Sequence, residues 1–63
     1  MTRVSVIGCG NMGSALLRGL ARTDTYHLTA IDLDPEARAS VADAADETTD
    51  DTDSGTADAD IVV

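Results

Sequence analysis

The sequence predicts an α/β domain built on a parallel, doubly wound sheet, and three stretches predict it. Val4-Ser5-Val6-Ile7 is a short apolar run that stops at Gly8 and passes at once into a helical pattern. Tyr26 to Leu33 is a second such run, followed by the helix start Asp34-Pro35-Glu36. Ile61-Val62-Val63 opens another after an acid-rich interval. Strands that alternate with helices imply parallel pairing through right-handed crossovers. The expected spatial order is 3-2-1-4, with the fourth strand beside the first and only partly present.

The first strand, Arg3 to Ile7, alternates little, as a central parallel strand covered on both faces should. The first helix is expected from Asn11 to Arg22. Met12, Leu16 and Leu20 recur four apart, with Leu17 beside them. Arg18 and Arg22 lie near its end, where positive charge suits the helix dipole, and read as a solvated cationic face. Gly19 costs such a helix up to about 1 kcal/mol relative to alanine, which a close helix contact would explain.

Thr23-Asp24-Thr25 reads as a connection. The second strand, Tyr26 to Leu33, carries Leu28, Ala30 and Ile31. Asp34 then serves as an N-cap and Pro35 as the first helical residue. The second helix is expected from Pro35 to about Asp46, with Ala37, Val41, Ala44 and Ala45 on its inner face. Glu47-Thr48-Thr49-Asp50 fits a short edge strand. Asp51 to Ala59 is either a short helix or a loop. No internal repeat is visible.

The chain has 63 residues, and large apolar side chains are few. Tyr26 is the one aromatic residue. A domain of this size buries only about 60% of its unfolded surface, so a complete core is not expected. The net charge is −8, there is no lysine, and most of the acid follows residue 31. Such a surface repels nucleic acid and anionic membranes. The acid-rich half fits either a partly disordered tail or a surface suited to strong salt, where the Debye length falls to about 3 Å. Abundant Asp, Thr and Ala without Lys resembles the composition of haloarchaeal proteins.

The single cysteine excludes an intrachain disulfide. The first strand starts at about residue 3, which leaves no room for a signal peptide ahead of it. No apolar run approaches the ~20 residues of a membrane span. A cytoplasmic location is the expectation.

Gly8, Gly10 and Gly13 form the pattern G-x-G-x-x-G between a strand and a helix, the setting in which that pattern carries information. Gly8 lets the chain turn sharply, Gly10 lets a pyrophosphate approach the backbone, and Gly13 lets the helix pack close. The helix start presents unpaired N–H groups and partial positive charge to an anion. Asn11 and Met12 open that helix; their amides would face the pyrophosphate, and Asn11 is equally suited to cap the helix. Cys9 stands where a thiol pKa can fall, although a small residue filling the turn is the simpler reading. Asp32 lies 19 positions after Gly13 at the end of the second strand, where a carboxylate accepts from ribose hydroxyls. It would repel a 2′-phosphate, and Leu33 follows where an Arg would favour one. The expected ligand is NADH or NADPH, with a lean to NADH.

His27 has no second metal-type partner at ligand spacing and reads as a polar surface residue. The acids Asp43, Asp46, Glu47, Asp50, Asp51 and Asp53 lack the order of a calcium loop and read as solvation. No nucleophile arrangement and no general acid or base stands out.

At IGCGNMGSALLRGL, Ile7 to Leu20, the chain resembles pyrroline-5-carboxylate reductase. The trio Asn11-Met12-Gly13 sets it apart from a generic glycine turn. Ala57 to Val63 is similar to that family's entry into its fourth strand. The resemblance implies a partial Rossmann-type sheet, truncated in that strand. Residues 1–63 would be the amino-terminal part of the dinucleotide-binding domain, inactive alone. It also implies that Gly8 to Gly13 bind the pyrophosphate of NAD(P)H, whose hydride reduces the C=N bond of 1-pyrroline-5-carboxylate to give proline. The family's substrate pocket and dimer contacts lie in a later helical domain, so a full-length parent would be a homo-oligomer. Members that use NADPH commonly carry a small polar residue and then Arg where this chain has Asp32-Leu33.

Two other readings remain open. Ala30-Ile31-Asp32-Leu33-Asp34-Pro35-Glu36 resembles a stretch of nucleotide-sensing regulatory domains of potassium transport. Those domains usually differ at Asn11-Met12 and have an apolar third strand, which Glu47 to Asp53 does not offer. Another nicotinamide dehydrogenase, such as the β-hydroxyacid class, is the third reading.

Overall fold

A computed structural model describes residues 1–63. The elements run β1 (Thr2–Ile7), α1 (Asn11–Ala21), β2 (Tyr26–Ile31), α2 (Pro35–Val41), β3 (Glu47–Thr49), α3 (Thr52–Thr56) and β4 (Ile61–Val62). The four strands form one parallel sheet in the order β3-β2-β1-β4. This is the doubly wound order, with β1 and β4 meeting where the winding reverses. β1 and β2 pair along their whole length, from Thr2 opposite Tyr26 to Ile7 opposite Ile31.

Strand periodicity sorts the side chains into two layers. Val4, Val6, Leu28 and Ala30 share one face with Cys9, and Leu17 of α1 and Val41 of α2 complete that core. Leu20, Tyr26, Ala37 and Ala45 pack at its margin. The other face carries Ser5, Thr29, Ile31 and Thr49, and α3 lies over it. Gly55 is the contact: a Cβ there would fall 2.6 Å from Cδ1 of Ile31. Ser5 Oγ donates to the Gly55 carbonyl at 2.6 Å. Apart from Ile31, this second layer is polar where the first is apolar. A cavity of about 30 Å³ remains beside Arg3, Ser5, Thr29 and Glu47, room for a single water.

The leucine stripe of α1 divides in the structure. Leu17 is fully buried and Leu20 partly so, whereas Met12 is 88% exposed and Leu16 sits at the surface boundary. Met12 and Leu16 border an apolar groove beside β4, so their spacing marks an open face of the helix. A methyl group added at Gly19 would meet nothing within 4 Å, so no close contact explains this glycine. Arg18 is not merely solvated: it donates to the Ser40 carbonyl at 2.7 Å and pairs with Asp43 at 3.1 Å, tying α1 to the end of α2.

The second helix is shorter than its alanine pattern predicts, ending at Val41. Asp46 explains the early end. Its amide donates to the Leu28 carbonyl at 2.8 Å and its carboxylate accepts from the Leu28 amide at 2.8 Å, which draws the chain into the sheet. The short edge strand and the Ile61 strand form as expected, and the acid-rich interval contains α3. No helix is long and apolar enough to cross a membrane.

Truncating a buried leucine costs about 2–5 kcal/mol, while surface changes stay within about 0.5 kcal/mol. Leu17→Ala is therefore expected to abolish or nearly abolish folding of so small a core, and Leu16→Ala to leave it nearly intact. Urea titration followed by circular dichroism compares the two.

Candidate functional site

The β1–α1 turn is built by two glycines with separate duties. Gly8 has φ +90°, a conformation that side chains with a Cβ rarely adopt. Its amide donates to the Ile31 carbonyl at 2.8 Å, so β2 still holds the chain as it leaves the sheet. Gly13 lies on the first turn of α1 directly against Gly8. A Cβ on Gly13 would fall inside van der Waals contact with the Gly8 carbonyl oxygen and close to Val6. The turn is thus folded onto the helix it starts, at a distance only glycine permits.

Gly10 is the N-cap of α1, with extended backbone and no side-chain cap. Asn11 is the first helical residue, so it does not cap the helix as its residue type suggested. The amides of Asn11, Met12 and Gly13 have no acceptor within the chain, and no acid stands in the first turn. They form a positive helix end, suited to an anion. The space over Gly10 is open, with nothing within 4 Å of where a Cβ would lie. Met12 projects its side chain outward beside this opening.

Cys9 is buried at 3% exposure, its thiol 3.8 Å from the Ile31 carbonyl. Burial, and then the charge of Asp32, push the thiol pKa up. The helix start therefore does not make this thiol reactive, and its filling role is the one the structure supports.

Asp32 immediately follows β2, next to the turn. Its carboxylate accepts from the Asp34 amide at 2.9 Å and from the Cys9 amide at 2.8 Å. Those two bonds, the Asp34 one foremost, hold its carboxyl below the usual carboxylate range, and the Arg38 guanidinium nearby adds to the effect. Two grooves flank Gly8. One, of about 240 Å³, is lined by Ile31, Asp32, Leu33, Asp50 and Thr52. The other, of about 370 Å³, is apolar and lined by Val6, Met12, Leu16 and Val63. All seven residues singled out in the sequence (Gly8, Cys9, Gly10, Asn11, Met12, Gly13 and Asp32) thus meet at the carboxyl ends of β1 and β2.

Two residues of this region escaped the sequence reading. Ser14 donates from Oγ to the Cys9 carbonyl at 3.0 Å, bracing the turn from the helix side. Arg38 donates to the carbonyls of Asp32 at 2.7 Å and Leu33 at 3.3 Å. A hydroxyl in the first turn was the available signal for Ser14. For Arg38 it was a cation one helical turn after the Asp34 cap. His27 is also less exposed than expected: its Nε2 is buried without a hydrogen-bond partner, 3.9 Å from Glu47.

The arrangement is one of recognition. Free amides offer hydrogen bonds to an anion, and a fixed carboxylate beside them offers acceptors to hydroxyls. Because the folded-state pKa of Asp32 lies below its unfolded value of ~3.9, its stabilising contribution is complete above that value. It is lost as pH falls through the folded pKa, so Asp32→Asn should flatten the acid limb of a stability–pH curve. Cys9, for its part, should resist maleimide at neutral pH in the folded chain and react rapidly in urea, as a mass-shift time course would show.

Residues 3–63 match the family described as "NADP oxidoreductase coenzyme F420-dependent". No curated protein matches the chain. The family match spans the glycine turn, the Asp32 carboxylate and all four strands, so the chain belongs to this family of NADP oxidoreductase domains.

Proposed function

We propose that residues 1–63 are the cofactor-holding part of a nicotinamide-dependent reductase, with the diphosphate at Gly8–Gly13 and the adenosine ribose at Asp32. One observation carries this reading. The unpartnered amides at the start of α1 and the fixed Asp32 carboxylate lie on either side of Gly8, each bordering one of the two grooves that meet there, with open space over Gly10. Backbone donors at a helix start suit a diphosphate, and a carboxylate suits vicinal hydroxyls. The remaining lone pairs of Asp32 are the acceptors for those hydroxyls.

The family is described by its use of NADP. In this chain the balance at the ribose tilts to NADH. The Asp32 carboxylate opposes a 2′-phosphate, and Leu33 beside it offers no charge. Arg38 has one amino group committed to the carbonyls of Asp32 and Leu33. Family membership favours an oxidoreductase over a regulatory module of potassium transport.

Within the family, the stretch Ile7 to Leu20 supports a pyrroline-5-carboxylate reductase, acting in proline synthesis. In that reading the reduced nicotinamide, when bound, supplies hydride to a C=N bond. The residues of the glycine turn and Asp32 bind and orient the diphosphate and ribose. Substrate contacts and subunit contacts belong to a helical domain beyond residues 1–63. The −8 charge without lysine suits a protein that works in the cytoplasm of a salt-rich cell.

Catalysis needs the substrate held against the nicotinamide in a reactive geometry, which these grooves alone do not provide. In molar salt, calorimetric titration should give weak binding of NADH and weaker binding of NADPH. No proline should form when 1-pyrroline-5-carboxylate is added to the 63 residues, whereas a reading frame that continues into a helical domain should form it. Tighter binding of NADPH would refute the ribose assignment, and a continued frame inert toward the imine would refute the substrate.

A further inference from the structure

Asp32 is attached to its surroundings at every polar position. Its amide donates to the Thr49 carbonyl of β3 at 3.1 Å. Its carbonyl accepts from Arg38 of α2 at 2.7 Å. One carboxylate oxygen takes the Asp34 amide at 2.9 Å, and the other takes the Cys9 amide at 2.8 Å. Contacts from β3, from α2 and its cap, and from the turn therefore fix a side chain whose far oxygen grips the middle of the glycine turn.

That grip decides which amides of the turn face outward. The Gly8 amide is taken by Ile31 and the Cys9 amide by Asp32, so the first two donors point back at β2. Gly10, Asn11, Met12 and Gly13 keep theirs free. Without the carboxylate, the Cys9 amide would be left unpaired in a buried residue, a cost that a rotation of the Cys9 peptide would relieve. Such a rotation moves Gly10 and tilts the free amides behind it.

We propose that Asp32 is a positioning residue for the phosphate turn, in addition to its contact with the ribose: its carboxylate holds the Cys9 amide and so sets the direction of the free amides of Asn11, Met12 and Gly13. The ligand half of this statement rests on the dinucleotide reading above; the clamp itself does not. Its consequence runs against simple electrostatics. Removing a negative charge from beside an anion site should strengthen anion binding. If the charge also shapes the site, removing it weakens binding.

The test uses the 63-residue chain in molar sodium chloride. In the wild type, amide NMR should show a through-hydrogen-bond coupling between the Cys9 nitrogen and the Asp32 carboxyl carbon. Asp32→Ala should shift the Cys9 amide signal upfield, and isosteric Asp32→Asn should give a smaller shift because one acceptor oxygen remains. Inorganic pyrophosphate, which has no ribose, should bind Asp32→Ala about 3- to 10-fold more weakly than wild type, the span expected for one net hydrogen bond. Pyrophosphate binding that is unchanged or tighter in Asp32→Ala overturns the proposal. So do a wild-type chain without the coupling and a Cys9 signal that the substitutions leave in place. Should wild type bind neither NADH nor pyrophosphate, the dinucleotide reading falls, and the coupling alone decides the clamp.

Discussion

The contact between Gly13 and the carbonyl of Gly8 is the constraint on which the rest of this small domain depends. It sets how closely α1 lies on β1, and thereby where Leu17 enters the core. It also folds the turn so that α1 begins at the sheet's carboxyl edge with its amides outward. Packing and recognition are one geometry here: the helix cannot move away from the strand without moving its donors. With seven residues in the main core cluster, little else resists such a movement.

The two faces of the sheet divide the work of stability and of order. Leu17, Leu28, Val6 and Val41 supply apolar burial on the α1–α2 side. The α3 side relies on hydrogen bonds and close approach: Ser5 to Gly55, and Gly55 against Ile31 and Thr49. Apolar burial is proportional to area and tolerant of small shifts, whereas a hydrogen bond to a backbone carbonyl fixes position. The result is an edge strand, β3, held in place to receive the Asp32 amide and steady the residue that touches the turn.

Exposed apolar side chains gather at the opposite edge. Ile7, Ile61, Val62 and Val63 are each about half exposed, and Met12 and Leu16 continue the patch across α1. On the cofactor reading this patch lies on the side of the turn away from Asp32, the side where β1 and β4 meet. Most charged side chains lie on helices and loops, with Arg3 and Glu47 on strands.

Periodicity and glycine spacing determined the class of fold, the strand order and the turn at Gly8–Gly13, because those depend on local pattern and on the handedness of crossovers. The residues of the candidate site could likewise be named from the sequence, since a glycine at φ +90° and an acid ending a strand leave their marks locally. Helix length could not be read this way: α2 stops at Val41 because Asp46 binds Leu28, a partner 18 residues away. Nor could the burial of Leu17 over Met12; Ser14 and Arg38 carry local signals, but the partners they find, the carbonyls of Cys9 and Asp32, are set by the fold. Only the assembled sheet decided that the Asp32 carboxylate reaches a peptide 23 positions earlier, because parallel pairing of β1 with β2 brings their ends together.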